Sequence, residues 1–217
     1  MIRYKYLNNQ TKTNMSAKKT MKIFCFFLLL PILGFSQTAA ELARSGIVKA
    51  RNKDYEAAIK DYDQSILLDS TKADTYYNRA VSKGRLKDFP GAIADYTRSL
   101  ELKDDPDAYY NRALMKVEIK DYAGALPDFD KAYDAKKDKA VFFFLRGDCR
   151  FITHDYPGSI VDFNKAIELQ PDYSNAYLFR GLAEINLKDK AAGCLDLNKA
   201  KALNSPKADG FIQQYCQ

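Results

Sequence analysis

A unit of about 34 residues recurs along this chain, and an aspartate marks each copy. Successive aspartates are 34, 33, 34 and 34 residues apart. They are Asp54, Asp88, Asp121, Asp155 and Asp189. A fixed period of this length is typical of solenoids, in which each repeat buries its apolar face only by stacking on its neighbours. The period therefore restricts the chain to a repeat architecture.

Small and large apolar residues follow each aspartate at constant distances. A small residue comes four positions later, a large one follows, and a second small one comes three residues after that. In chain order the first small residues are Ala58, Ala92, Ala125, Ser159 and Gly193, the large ones are Tyr62, Tyr96, Phe129, Phe163 and Leu197, and the second small ones are Ser65, Ser99, Ala132, Ala166 and Ala200. Three- and four-residue steps are the period of one helix face. The pattern predicts helices that cross closely at the small residues.

Each aspartate lies between a short linker and an apolar-periodic run, so it is placed to cap the second helix of a hairpin. Pro90 and Pro157 fall in the first turn of such helices, where a missing N–H is tolerated. Pro127 falls five residues into its helix, where it would remove an internal hydrogen bond. We expect a late helix start or a kink there.

The segment from Tyr76 to Ala80 reads YYNRA and returns from Tyr109 to Ala113. Together with the aspartate register, it resembles the tetratricopeptide repeat (TPR) family over residues 39 to about 204. The resemblance implies an all-α fold, a right-handed α-solenoid of five helical hairpins with a C-terminal capping helix. The repeats would span 39–72, 73–105, 106–139, 140–173 and 174–204, and the capping helix 205–217. The chain departs from the family in having no tryptophan.

Arginines on the first helices face aspartates midway along the second helices. The arginines are Arg79, Arg112, Arg146 and Arg180, and the aspartates are Asp61, Asp95, Asp128, Asp162 and Asp196. The arginine row could bind a carboxylate ligand, or the pairs could tie helices together, which we favour. Pairing within a repeat would leave Asp61 alone, and pairing to the next repeat would leave Asp196 alone.

Residues 1–36 have the features of a leader and signal peptide. Lys18, Lys19 and Lys22 precede an apolar run from Ile23 to Phe35, and small residues suit cleavage between Ser36 and Gln37. The alternative is an uncleaved membrane anchor, which the shortness of the run and Pro31 disfavour. We expect an exported protein, periplasmic or extracellular, with no membrane span in the mature chain.

The charge of the mature chain argues against nucleic-acid binding. Six of the 34 basic residues lie in residues 1–36, which contain no acid, so 28 basic residues remain against 28 acidic ones. A nucleic-acid surface needs a clustered positive excess, which this total does not supply.

Three cysteines follow the leader, and export permits a disulfide. Cys194 lies on the second helix of repeat five and Cys216 on the capping helix that should cover it, so we predict a bridge between them. Cys149 reads as a small buried residue. No metal site is expected, because the thiols show no paired CxxC spacing and His154 is the single histidine.

No catalytic constellation is visible in the sequence. His154 falls in an inter-helix turn, no glycine-rich phosphate loop occurs, and the carboxylates follow the repeat rather than converge. We therefore expect neither an enzyme nor a cofactor.

The TPR resemblance implies that the first helices line a concave groove that binds another protein or peptide. The implied groove residues are Tyr77, Asn78, Val81, Tyr110, Asn111, Leu114, Phe144, Asp148, Phe151 and Leu178, with Arg44 and Asn186 beyond them. Aromatic side chains and amides suit an extended or helical peptide. The alternative for some of the aromatics is that they pack only against neighbouring helices.

Two functions remain open at this point. The leading hypothesis is a non-enzymatic scaffold that binds a protein or peptide on this groove. The second is a structural module in the envelope that associates with copies of itself through the ends of the solenoid, with weak affinity.

Overall fold

The computed structural model describes residues 37–217, and residues 39–217 form one compact unit. Its regular structure consists of helices joined by short turns. The helices are α1 (Ala39–Arg51), α2 (Tyr55–Leu68), α3 (Ala73–Arg85), α4 (Phe89–Leu102), α5 (Pro106–Glu118), α6 (Tyr122–Lys136), α7 (Ala140–Ile152), α8 (Tyr156–Leu169), α9 (Ser174–Asn186), α10 (Lys190–Ala202) and α11 (Ala208–Tyr215). The predicted leader and its cleavage site between Ser36 and Gln37 extend outside the described residues.

The helices stack in chain order as five hairpins. Each odd-numbered helix from α1 to α9 packs along the even-numbered helix that follows, and each even-numbered helix from α2 to α8 packs on the next odd one. First helices of successive repeats also touch, as α1 does α3 and α7 does α9. The predicted all-α solenoid of hairpins with a terminal helix is confirmed.

The aspartates cap the second helices in all five hairpins. The carboxylate of Asp121, for example, accepts a hydrogen bond from the backbone N–H of Gly124 at 3.0 Å. The other four accept equivalent bonds from the third residue of their helices. The residue before each aspartate has a positive φ, 64–71°, although it is lysine four times and His154 once. His154 is therefore a turn residue.

The left-handed lysines predict a stabilising substitution. A left-handed backbone costs an L-residue about 1–2 kcal/mol and costs glycine nothing. Lys120→Gly is therefore expected to raise the free energy of unfolding by about 0.5–1 kcal/mol in a urea titration. Lys131→Gly, in the exposed interior of α6, is the control and should lower it by about 1 kcal/mol. A loss of stability in Lys120→Gly would contradict this assignment.

Helix α6 corrects one expectation. It begins at Tyr122, directly after its cap, so the late start predicted from Pro127 is wrong. The capping bond of Asp121 fixes the first turn, and Pro127 is exposed, so its ring meets solvent rather than a neighbouring helix. The helix continues without interruption to Lys136.

Two glycines bring α9 and α10 into backbone contact. A Cβ atom on Gly181 would lie 2.8 Å from the carbonyl oxygen of Gly193, and one on Gly193 would lie 2.6 Å from that of Gly181. Backbone atoms cannot move aside as a flexible side chain can. The small residues predicted at this crossing are therefore required by the separation of the two helices.

Gly181→Ala is expected to lower the free energy of unfolding by about 2 kcal/mol, because the methyl group would force the last hairpin apart. Gly210→Ala is the matched control, since a Cβ there has nothing within 4 Å. That change should be neutral or stabilising by up to about 1 kcal/mol, because alanine favours the helix. Equal effects of the two changes on the thermal midpoint would refute the close crossing.

The terminal helix α11 packs on α10 and closes the last repeat. Ala208 of α11 is fully buried with Leu178, Leu197 and Ala200. Cys194 on α10 and Cys216, just after α11, form a disulfide with their Cα atoms 5.7 Å apart. Cys149 is a free, buried thiol whose burial raises its pKa to about 12. Within residues 37–217 no helix combines the length and apolarity needed to cross a membrane.

Candidate functional site

The arginine row forms a structural ladder. Each arginine makes a bidentate pair with the aspartate of its own repeat, as Arg79 does with Asp95 at 2.8 and 2.6 Å. Its third donor reaches the preceding repeat, where Arg79 binds Asp63 at 2.6 Å. The other three repeat this with Thr97, Asp130 and Asn164 in turn. The pairing left open by the sequence is thus within the repeat, and these guanidinium groups are occupied by the fold.

A second cation supports the same aspartates in four repeats. Lys83, for example, lies 2.8 Å from Asp95. Lys49, Lys116 and Arg150 do the same in repeats one, three and four. Repeat five has Glu184 at this position, facing the buried Asp196. One carboxyl oxygen of Glu184 is buried without a hydrogen-bond partner. Burial and the charge of Asp196 raise the pKa of Glu184 to about 7.

This acidic substitution predicts a pH dependence of stability. A carboxyl group whose pKa is about 7 when folded and 4.5 when unfolded takes up a proton on folding, so stability falls as the pH rises from 4.5 to 7. Between pH 5 and 8 we expect a loss of about 1–2 kcal/mol, less than the full pKa difference because Glu184 is partly exposed. Glu184→Gln should remove this slope in urea titrations across that range. An unchanged slope would refute the assignment.

The predicted groove residues lie on the first helices, but the structure divides them by environment. Tyr77, Tyr110 and Phe144 are half-buried, and their rings pack against second helices. The ring centroids of Tyr77 and Tyr96 are 5.6 Å apart, and those of Tyr110 and Phe129 are 6.2 Å apart. Phe144 makes the same kind of contact with the second helix of its own repeat. The packing alternative thus describes much of the surface of these three aromatic rings.

Four of the predicted residues line two adjoining pockets across repeats one to three. Asn78 and Val81 line a pocket of about 350 Å³ between α1 and α3. Val81, Asn111 and Leu114 line a second, of about 210 Å³, between α3 and α5. Asn111 also donates to the hydroxyl of Tyr77 at 2.8 Å, which fixes its amide and leaves its carbonyl oxygen as an acceptor. These pockets form a continuous groove, because Val81 and Arg85 belong to both.

The C-terminal end of the predicted groove is more enclosed. Leu178 is only 1% exposed and is packed beneath α11, so its assignment to a partner-binding surface is wrong in this structure. Burial raises the pKa of Asp148, an effect that the nearby Lys207 partly offsets. Phe144 and Phe151 both contact Phe179, with ring centroids 5.8 Å apart in each pair. An aromatic cluster therefore occupies the first-helix face of repeats four and five.

Residues that sequence reasoning missed complete the two pockets. They are Ile47, Ala50, Arg51, Tyr55, Tyr62, Ser82 and Arg85 in the first pocket, with Gly84, Tyr96 and Met115 in the second. Arg51 and Arg85 are 34 residues apart and occupy the same position in successive repeats. That repetition was a readable signal, since the equivalent positions further on are Glu118, Ile152 and Asn186.

Nothing in residues 37–217 gathers three metal-binding side chains of histidine, cysteine, aspartate or glutamate. His154 lies at an exposed turn, where its ring contacts the hydroxyl of Tyr156 at 2.8 Å. The site that the geometry offers is therefore the groove, which is lined by amides, apolar side chains and two arginines.

Comparison with known proteins agrees with this geometry. A tetratricopeptide repeat family model matches residues 77–140, which contain α5, α6 and most of the preceding repeat. The chain is a tetratricopeptide repeat protein. The TPR hairpin seen there is repeated throughout residues 39–202, with the same aspartate cap in each copy. None of the curated proteins matches the chain significantly in sequence.

Solved structures resemble this TPR fold at low sequence identity. The crystal structure of YrrB, described as a TPR protein with an unusual peptide-binding site, superposes with a TM-score of 0.73 at 19% identity, covering 76% of this chain and 86% of YrrB. A crystal structure of MamA gives 0.70 at 19% identity, covering 79% and 94%. MamA from Desulfovibrio magneticus RS-1 gives 0.68 at 18%, covering 76% and 94%. These likenesses establish the fold.

Proposed function

We propose that this protein is a non-enzymatic scaffold that holds a peptide segment of another protein in the groove across repeats one to three. The observation that carries the proposal is the pair of adjoining pockets that share Val81 and Arg85. Apolar side chains of a ligand can enter them, while the amides of Asn78 and Asn111 are placed to bind its backbone. The unusual peptide-binding site of YrrB, a protein of the same fold, adds support by analogy.

The proposal is tested by affinity capture from native extract. Val81→Arg would place a charged side chain in both pockets and is expected to reduce partner recovery about tenfold or more. Val161→Arg is the matched control, because Val161 is 63% exposed on α8 and borders neither pocket. Equal recovery of the partner by Val81→Arg and the unmodified protein would refute the groove as the binding site.

We also propose that the protein acts outside the cytoplasm. The basic and apolar leader supports export, and the pairing of Cys194 with Cys216 fits an oxidising compartment. The N-terminus of protein purified from its source should begin at Gln37. Recovery of full-length chain from the cytoplasmic fraction would contradict this proposal.

A further inference from the structure

Two arginines in the groove have no acidic partner within the described part of the chain. Arg79, Arg112, Arg146, Arg150 and Arg180 all bind carboxylates in the helix ladder. Arg51 and Arg85, at the ends of α1 and α3, take no part in that ladder. Within residues 37–217 neither forms a side-chain hydrogen bond or an ion pair. Both are exposed, and both line the larger pocket.

The position of these arginines in the repeat makes the groove electrically polar. The next residue in the same register is Glu118, which is exposed at the end of α5. The positions after it are uncharged, at Ile152 and Asn186. Positive charge on this row is therefore confined to repeats one and two. A free guanidinium presents five donors in a planar fork that suits a carboxylate.

We infer that the groove of repeats one to three selects an acidic peptide segment, with carboxylates bound by Arg51 and Arg85 and apolar side chains in the two pockets. This inference rests on the proposed function and narrows it to one ligand chemistry. Asn78 and Val81 lie between the two arginines along the pocket wall, so one ligand can meet amide, apolar and cationic groups together. The arginine ladder shows that carboxylates satisfy guanidinium groups elsewhere in this fold.

The spacing of the pockets predicts the spacing of the ligand's apolar residues. Packed helices lie about 8–10 Å apart, and α1, α3 and α5 each provide one wall. An extended peptide advances about 3.3 Å per residue, so residues three positions apart reach successive pockets. The ligand should therefore carry two apolar residues at i and i+3, flanked by aspartate or glutamate.

A pair of synthetic peptides tests the inference. The acidic probe is a capped, fluorescently labelled peptide of sequence SDLDELDS, and the neutral probe is SNLNQLNS. By fluorescence anisotropy at low salt, the acidic probe is expected to bind about tenfold or more tightly than the neutral one. The double variant Arg51→Gln/Arg85→Gln should lose this preference. Arg98→Gln, at an exposed arginine paired with Glu101 on α4, is the control and should keep it.

Each outcome bears on the inference. Equal binding of the two probes, or a preference retained by the double variant, overturns acid selection while leaving the peptide-binding proposal standing. Failure of both probes to bind, when the protein still captures its partner through Val81, also overturns it. Circular dichroism checks the folding of the double variant, which is expected to match the unmodified protein because both arginines are exposed and outside the ladder.

Discussion

Replacing Asp162 with alanine is expected to lower the free energy of unfolding by about 3–5 kcal/mol. The Asp162 side chain is 1% exposed and accepts hydrogen bonds from Arg146 at 2.6 and 3.0 Å and from Arg150 at 2.8 Å. Arg146 is itself buried and lies over the ring of Phe142. Loss of the carboxylate would leave two guanidinium groups in a largely apolar setting, with Asp130 as the remaining nearby acid.

Repeat one supplies a matched control for this prediction. Asp61 occupies the same register position, but its cation, Lys49, is 38% exposed, and Ser45 stands where later repeats have arginine. Asp61→Ala should therefore cost only about 1 kcal/mol. The pair Arg146→Met/Asp162→Leu should recover most of the stability lost in Asp162→Ala, since apolar residues can replace a buried ion pair. Equal losses in urea titrations of Asp162→Ala and Asp61→Ala would refute the role of burial.

The fold was predictable because every repeat states the same local rules. An aspartate before an apolar-periodic run predicts a capped helix, and five copies in register leave little freedom in how the hairpins stack. The pairing in the arginine ladder was not predictable. An arginine lies 16 residues from one acid ahead and 16 from a polar residue behind, and it contacts both. Sequence spacing alone does not rank two equal separations.

The site was predicted only in part, because a register position fixes a helix face but not what covers it. Val81 and Leu114 line open pockets, whereas Leu178 lies on the same kind of helix and is buried beneath α11. The contacts of α11 with repeat five decide that difference, and they depend on tertiary packing at one end of the solenoid. Arg51 and Arg85 were missed because exposed arginines stand out only once the other arginines have been assigned partners.

The disulfide at the C-terminal end carries the second large effect. Cys194→Ser/Cys216→Ser is expected to lower the free energy of unfolding by about 3 kcal/mol, because the bridge closes a loop across a separation of 22 residues in the unfolded chain. Reduction of the unmodified protein should produce the same shift in the urea midpoint. The double variant should not respond to reductant, which separates the bridge from any effect of reductant on Cys149.

The loss should begin locally at α11. This helix has only eight residues, too few to be stable alone in water, so its structure depends on packing and on the bridge. Once the bridge is gone, α11 can separate from α10 and expose Leu178 and Leu197, which are now almost fully buried. Limited proteolysis should therefore cut the reduced protein first between Ser205 and Gln217, before the hairpins are attacked. First cleavage in the N-terminal repeats, or a midpoint unmoved by reduction, would show that packing alone holds the terminal helix in place.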